Sequence, residues 1–276
     1  MTRRSAADHR RKPEHSRAIR LTVRSRAAVT PHMSRVTLGG NGLHAWEHMG
    51  FDQWFRLFLA PAGASLQHVP DSLTEASYAR FMLAPASRRP LIRNYTVRAF
   101  RPSGPDGPEL DVDLVAHGCA DEGTAGPASI WARECAVGDE VAIINEGTMF
   151  AAPEGATVRL AADESGLPAA AGILRDLPRG TAGLAVIEVP TEEDRQPLDA
   201  PERVVVHWVV RQTPASRPGA AALARLRSLP PPTAPSYAWA AGESDLATGA
   251  RRHWVSQGID KGDISFCGYW KAGAAH

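Results

Sequence analysis

The stretch Arg93-Asn94-Tyr95-Thr96-Val97-Arg98 carries an Arg-x-Tyr-Thr core in an extended run. Residues two apart in a strand point to the same side, so Arg93 and Tyr95 offer a guanidinium and a phenol ring to one ligand. The planar fork of arginine donors matches paired phosphate oxygens, and the tyrosine ring stacks on a flat heteroaromatic. The Thr96 hydroxyl is placed to bond a ring nitrogen. Pyrophosphate, flat ring and ring nitrogen together describe a flavin nucleotide. On its own the pattern reads equally as a plain strand with a solvated edge, so its company along the chain decides.

A second constellation runs from Asp111-Val112-Asp113-Leu114-Val115-Ala116-His117-Gly118 to Gly126-Pro127-Ala128-Ser129-Ile130-Trp131-Ala132. The latter reads as a loop entering a helix, whose first N–H groups lack partners and lie at the positive end of the helix dipole. Such a turn suits phosphate, Ser129 adds a hydroxyl, and His117 closes a strand where an adenine or ribose would lie. A plain helix start capped by serine is the alternative. A third is Ala162-Asp163-Glu164-Ser165-Gly166-Leu167-Pro168, a strand, an acidic turn and a helix opening with proline. It lacks G-x-G-x-x-G, and Asp163 and Glu164 read evenly as ligand contacts or as helix caps. A fourth, Gly242-Glu243, ends a strand where a reacting ring would lie; Arg251 and Arg252 beyond it read as a solvated helix face. The fifth is Gly268-Tyr269-Trp270-Lys271, aromatics that either cover a flavin face or anchor the chain end.

Two kinds of element must position these residues. From Ile19 to about Gly147, short apolar or alternating runs separated by Gly, Pro, Asn and Asp predict a small antiparallel barrel. Its strands are Ala18–Val23, Ser34–Leu38, Trp54–Leu59, the Tyr95 stretch, Leu110–Val115 and Glu140–Ile144. Pro70 to Phe81 reads as a helix or an excursion loop, and Ala128 to Cys135 as a helix. From about Glu154, strands alternate with helices, which predicts a doubly wound parallel sheet. The expected division is a basic, solvated tail over 1–18, a flavin-binding barrel over 19–150, and an α/β dinucleotide domain over 154–276. Ligands of open α/β sheets bind at the carboxyl ends of the strands.

Composition narrows the classes. The net charge of +1 argues against nucleic acid as a partner. The first 26 residues hold nine Arg or Lys against two Asp or Glu, +7, leaving −6 for the remainder. That opening lacks the apolar region of a secretory signal, and no run approaches the ~18 apolar residues of a membrane span. Cys119, Cys135 and Cys267, odd in number and without C-x-x-C spacing, suggest a reducing compartment and no metal site.

In series, these motifs resemble the siderophore-interacting protein family, a branch of the ferredoxin–NADP reductase superfamily. The resemblance runs from about Ile19 to the end and includes Val29-Thr30-Pro31-His32-Met33-Ser34, His207-Trp208-Val209-Val210-Arg211 and Tyr237-Ala238-Trp239 beside the stretches above. It implies a cytoplasmic, FAD-dependent ferric-siderophore reductase, expected to be a monomer, with NADPH or NADH as donor and ferredoxin as an alternative. Arg93 would contact the FAD phosphates, and Tyr95 and Thr96 would face the isoalloxazine as the catalytic pair. Val97, Asp113, Val115, His117, Ala128 and Ser129 would complete the FAD site. Asp163, Glu164, Gly242, Glu243 and Trp270 would lie on the nicotinamide side. Arg56 and Lys271, at positions where the family commonly carries lysine and arginine, would meet the anionic Fe(III) chelate. The family's usual Gly-Asp-Glu-Thr-Ala-Leu-Pro is here Ala162 to Pro168, with the glycine moved to Gly166. Ile130 stands where a basic residue is expected, and Asp121 and Glu122 add acid nearby. Two other functions remain open on these residues: a general NAD(P)H:flavin or electron-transfer reductase without siderophore specificity, and a flavin- or siderophore-binding protein that reduces nothing.

Overall fold

The computed structural model describes residues 10–61, 65–85, 87–116 and 126–273. The first half is an antiparallel sheet of β1 (Ala18–Thr30), β2 (Met33–Gly39), β3 (Trp54–Leu59), β4 (Leu91–Thr96), β5 (Ala99–Gly104), β6 (Gly107–Val115) and β7 (Glu140–Gly147). Its order is β4-β3-β7-β1-β2-β6-β5. The edge strands β4 and β5 are joined by Val97 and Arg98 alone, so the sheet curls until its ends meet. Strand β1 pairs with β7 through Ala18–Thr22 and with β2 through Thr22–Thr30, and two register shifts within the β2 pairing, at Val23/Ser25 and Ala28/Thr30, bend it. Alternate residues such as Leu21, Val23, Val36, Leu38, Leu57 and Val112 fill the interior.

Each strand expected in this half is present. Strand β5 is additional: Pro102 and the polar residues around it hide it from a pattern search, and a sheet edge tolerates proline. Helix α1 (Glu75–Met82) settles the Pro70 to Phe81 stretch as helical over its second part, with a Thr74/Ser77 capping box. Helix α2 (Pro127–Glu134) packs on β2 and β6. The basic opening is held to the barrel from Arg10 onward, short of the expected boundary at 18. Arg11 and Thr148 exchange backbone hydrogen bonds of 2.9 Å, Ser16 Oγ donates to the Asn145 carbonyl at 2.6 Å, and the Arg10 guanidinium lies 5.1 Å from the Trp54 ring centroid.

The second half is a parallel sheet of β8 (Thr157–Ala162), β9 (Gly183–Val189), β10 (Val204–Val210), β11 (Ser236–Glu243) and β12 (Ile264–Trp270), in the order β10-β9-β8-β11-β12. Helix α3 (Leu167–Asp176) covers one face; α4 (Ala220–Ser228) and α5 (Ser244–Ser256) cover the other. Strand β11 shows the period of two directly. Tyr237, Trp239 and Ala241 face α3, and Ala238 and Ala240 face α4 and α5.

The halves are bolted together by the loop before β3. The Asp52 carboxylate, 3% exposed, accepts from the Met149 and Phe150 N–H groups at 3.0 Å and from Trp239 Nε1 at 2.9 Å. Phe51 adopts a left-handed φ of 51°, which a bulky residue avoids unless its surroundings hold it there. Its N–H donates to Asp176 at 2.5 Å, and its ring stacks on Phe150 at 5.2 Å, which meets Tyr237 edge-on at 5.1 Å. The Phe51 carbonyl lies over α3 where a Cβ on Gly172 would stand 2.1 Å away, so only glycine admits the contact. A second clasp joins the β1–β2 hairpin to the turn after β9: His32 Nδ1 lies 2.7 Å from Asp194 and the His32 N–H donates to it at 3.0 Å.

Two outcomes test this seam. Asp52→Ala leaves three buried donors without an acceptor and is expected to lower the unfolding free energy by about 3 kcal/mol; an unchanged denaturant midpoint would refute the bolt. Burial pushes the Asp176 carboxyl up, but the Arg175 side chain and the Phe51 N–H together outweigh it and hold the group below its ordinary value. Its contribution to stability is therefore complete above the unfolded carboxylate value of about 4 and is lost as pH falls through the lower folded value. Asp176→Asn should accordingly show a shallower fall in Tm between about pH 5 and pH 3 than the parent, and parallel curves would contradict the assignment.

Candidate functional site at the junction of barrel and parallel sheet

The Thr96 end of β4 approaches the carboxyl end of β12 at this seam. Thr96, 5% exposed, is paired with Trp54 of β3, and the Tyr269 hydroxyl lies near its side chain. The register between β11 and β12 slips there: Gly242 faces Gly268 and Glu243 faces Trp270, which leaves Tyr269 as the extra residue. A bulge of this kind re-aims a side chain, here across the seam onto the barrel strand. The Tyr269 ring is 40% exposed, but its hydroxyl end is turned inward, and burial with the nearby Asp52 carboxylate raises its pKa well above that of an ordinary phenol.

Arg93 is half-buried. It donates to the Ile92 carbonyl at 2.8 Å and has no acidic partner among the described residues. Tyr95 packs against the barrel core, and burial pushes its phenol up to about 12 despite the Arg93 charge; it stays neutral at every working pH. Ala128, in the first turn of α2, belongs to the same apolar cluster as Tyr95, and the N-terminal Gly126 provides no side-chain cap for that turn. Ser129 is buried beside it.

Other predicted cofactor residues are engaged elsewhere. Val97 is in the barrel core with its N–H donated to the Gln53 carbonyl at 2.8 Å. The Asp113 carboxylate is buried in a bidentate pair with Arg35 at 2.6 and 2.8 Å, and Arg98 lies 3.3 Å away. Val115 ends β6 opposite Met33, half-buried. His117, with Asp121 and Glu122, lies outside the described residues.

On the opposite side, Asp163 is fully buried. It accepts from Ser165 N at 2.9 Å, Ser165 Oγ at 2.6 Å, Gly166 N at 3.3 Å and Glu243 N at 2.6 Å. This geometry ties Asp163 to the backbone of its own turn and to the end of β11, while α3 itself, with Gly166 at its N-cap, receives no side-chain cap. Burial raises its carboxyl, and the hydrogen bonds only partly oppose that. Gly242, at φ 138°, is where a Cβ would stand 2.5 Å from the Asp163 carboxyl carbon; glycine is what lets that carboxylate cross to β11. The displaced Gly166 is right-handed, so its shift along the turn brings no left-handed kink. Glu164 pairs with Arg211, which also binds Glu188 at 2.6 Å. Trp270 Nε1 donates to Ser165 Oγ at 3.1 Å.

Of the two chelate candidates, Arg56 bonds Glu146 at 2.6 Å, and Arg10 binds the same carboxylate. Two guanidiniums on one carboxylate leave one net positive charge. Arg56, Trp54, Asn94 and Thr96 share one face of the β3–β4 pair. Lys271 is exposed at the end of β12, without an ion-pair partner among the described residues. Sequence reasoning passed over Trp54, whose indole N–H is buried without a partner beside Thr96; it offered Tyr269 as a flavin cover or a chain-end anchor, without its neighbour Thr96. The bulge that aims Tyr269 has no local sequence mark. Among the described residues no cluster could hold a metal ion, and no helix is long and apolar enough to cross a membrane.

An antiparallel barrel and a parallel dinucleotide-type sheet meeting at an Arg-x-Tyr-Thr strand define a two-domain reductase fold of the ferredoxin–NADP reductase type. Residues 22–149 match the siderophore-interacting FAD-binding domain, and residues 149–273 match the siderophore-interacting protein model. The chain belongs to the siderophore-interacting protein family. It is 28% identical to ferric vibriobactin reductase ViuB of Vibrio cholerae over 89% of this chain and 86% of that protein. It is 26% identical to the NADPH-dependent ferric-chelate reductase of Escherichia coli over 91% and 92%. The crystal structure of a siderophore utilization protein from T. fusca superposes with a TM-score of 0.75 at 28% identity, covering 96% of this chain and 97% of that one. The chain spans 62% of the length of an uncharacterized protein of Mycobacterium tuberculosis that it matches at 35% identity over 66% of its own residues.

The structural reading of Gly242 has its own check. Gly242→Ala forces a Cβ into the Asp163 carboxylate at a left-handed position, and is expected to cost about 2 kcal/mol of stability with or without added nucleotide. A variant of parental stability that had lost only nucleotide binding would return Gly242 to a purely ligand-contacting role.

Proposed function

We propose that this protein is a cytoplasmic, monomeric flavoenzyme that carries electrons from a reduced nicotinamide through FAD to a ferric siderophore and releases Fe(II). The observation that carries this reading is the junction itself. A cation without an acidic partner (Arg93), a neutral buried ring (Tyr95) and a short hydroxyl (Thr96) lie on one strand, whose Thr96 end lies near Tyr269 of the parallel sheet. The residues present fit FAD: an arginine awaiting an anion, a helix start not capped by its own first residue, a flat ring, and the unpaired Trp54 N–H beside Thr96. Arg93 and the first turn of α2 would hold the pyrophosphate, Tyr95 the isoalloxazine face, and Thr96 the ring nitrogens. FAD held there would supply two-electron uptake from one hydride and one-electron delivery, so that one donor would reduce two Fe(III).

The remaining work belongs to the chain. Asp52 and Phe51 fix the two halves at one spacing, which keeps donor and acceptor sides in register. Tyr269 covers Thr96 and limits water at that strand. Arg10, Arg56 and Lys271 supply positive charge for an anionic chelate. Hard anionic oxygens hold Fe(III) far more tightly than Fe(II), so reduction releases the metal. Free thiols at Cys135 and Cys267 suit a reducing compartment. The relatives named for ferric-chelate and ferric-siderophore reduction support this activity.

Arg93→Ala and Tyr95→Ala are expected to weaken FAD binding at least about tenfold, a loss near 1.4 kcal/mol, measured by flavin fluorescence on titration. Lys271→Glu is expected to raise KM for an anionic Fe(III) chelate several-fold while FAD content stays at the parental level, read by trapping Fe(II) with a chromogenic chelator. Parental FAD affinity in both barrel variants would displace the cofactor site, and a parental KM in Lys271→Glu would remove that residue from the chelate path.

A further inference from the structure

The helices that follow β8, β10 and β11 begin at the carboxyl edge of the parallel sheet, where a dinucleotide's phosphates would ordinarily meet free helix N–H groups. In this chain a carboxylate from the protein already accepts from backbone N–H groups in the turn that leads into α3 and in the first turns of α4 and α5. Asp163 takes Ser165 N and Gly166 N before α3. Glu188 takes Gly219 N and Ala222 N at 2.8 Å on α4. Glu243 takes Asp245 N at 2.6 Å on α5. All three carboxylates are fully buried, so none is a surface side chain that a ligand would push aside.

The arginines on this rim are equally committed. Arg211 is buried between Glu164 and Glu188. Arg217 is shared by Glu243 at 3.0 Å and Asp245 at 2.6 Å. The turn after β9, where an acid ordinarily meets the adenosine ribose and disfavours a 2′-phosphate, carries Glu192, Glu193 and Asp194 together. The edge thus combines turns already bonded to buried carboxylates with an excess of fixed negative charge.

We infer that the donor side recognises the dihydronicotinamide ring and gives no grip to the pyrophosphate or 2′-phosphate of the dinucleotide. The donor class it takes is any sterically open 1,4-dihydronicotinamide, charged or neutral. This rests on the flavin-reductase reading. What remains for recognition is the aromatic pair Tyr269 and Trp270 beside the flavin strand, with Trp270 tethered to Ser165.

The test compares three donors on the FAD-loaded protein under anaerobic conditions: NADPH, NADH and N-benzyl-1,4-dihydronicotinamide, which keeps the ring and has no phosphate. Each bleaching rate is divided by that donor's rate with free FAD, which removes differences in intrinsic hydride strength. The three accelerations are expected to agree within about threefold. In parallel, calorimetric titration with 2′-phospho-ADP-ribose, which has the phosphates and no nicotinamide, is expected to give no saturable heat below about 1 mM. An acceleration for NADPH at least about tenfold above that of the benzyl donor, or micromolar binding of 2′-phospho-ADP-ribose, would overturn the inference and leave the reductase reading intact. A flavin that none of the three donors bleaches would instead defeat the nicotinamide-dependent reductase reading on which the inference rests.

Discussion

The Asp52 carboxylate is the constraint on which the rest of this molecule depends. It is buried between two domains that each have their own core, and it ties the linker at Met149 and Phe150 and the centre of β11 through Trp239 to the loop that starts β3. Burying a carboxylate is costly unless its hydrogen bonds are satisfied, and here three donors meet it. Burial still raises its pKa, with the Phe150 and Met149 N–H groups as the leading opposition. Strand β3 pairs with β4, so whatever fixes Asp52 also fixes Arg93, Tyr95 and Thr96 relative to the parallel sheet. The strained Phe51 and its carbonyl over Gly172 serve the same seam.

Charge is divided across that seam. The barrel side offers Arg93, Arg56 and Arg10, with Lys271 at the end of β12; the sheet edge holds buried acids tied to arginines and helix starts. In the proposed reading, phosphate and anionic chelate are bound on the first side and a neutral ring on the second. The Arg35–Asp113–Arg98 cluster belongs to neither. Its carboxylate binds two guanidiniums and stiffens the β2–β6 pair next to the loop between β4 and β5.

Most elements were legible because their signals are local. Period-two runs gave six of the barrel strands, and the strand–helix alternation from about Glu154 gave the second half as a parallel sheet with helices on both faces. Strand β5 was missed because Pro102 and its polar neighbours are tolerated only by an edge, and edge status is a tertiary fact. The same distinction separates the site residues. Arg93, Tyr95 and Thr96 could be read from their spacing on one strand. Asp163, Glu243 and Asp113 were recognisable as acids near ligand positions, but their partners come from other strands, so capping and ion pairing could not be told from ligand contact. Asp52, Trp54 and the bulged Tyr269 gain their roles wholly from contacts distant in sequence, and no spacing marks them.

The most direct test of the account is an anaerobic titration of the FAD-loaded protein, following flavin absorbance first with NADH and then with a ferric siderophore in an excess of Fe(II) trap. The account requires the flavin to bleach and the chelate to restore it, with two Fe(II) trapped for each flavin reoxidised. A flavin that bleaches but is not restored by any Fe(III) chelate would contradict the central claim, because donor and acceptor would then not share the junction that Asp52 holds together.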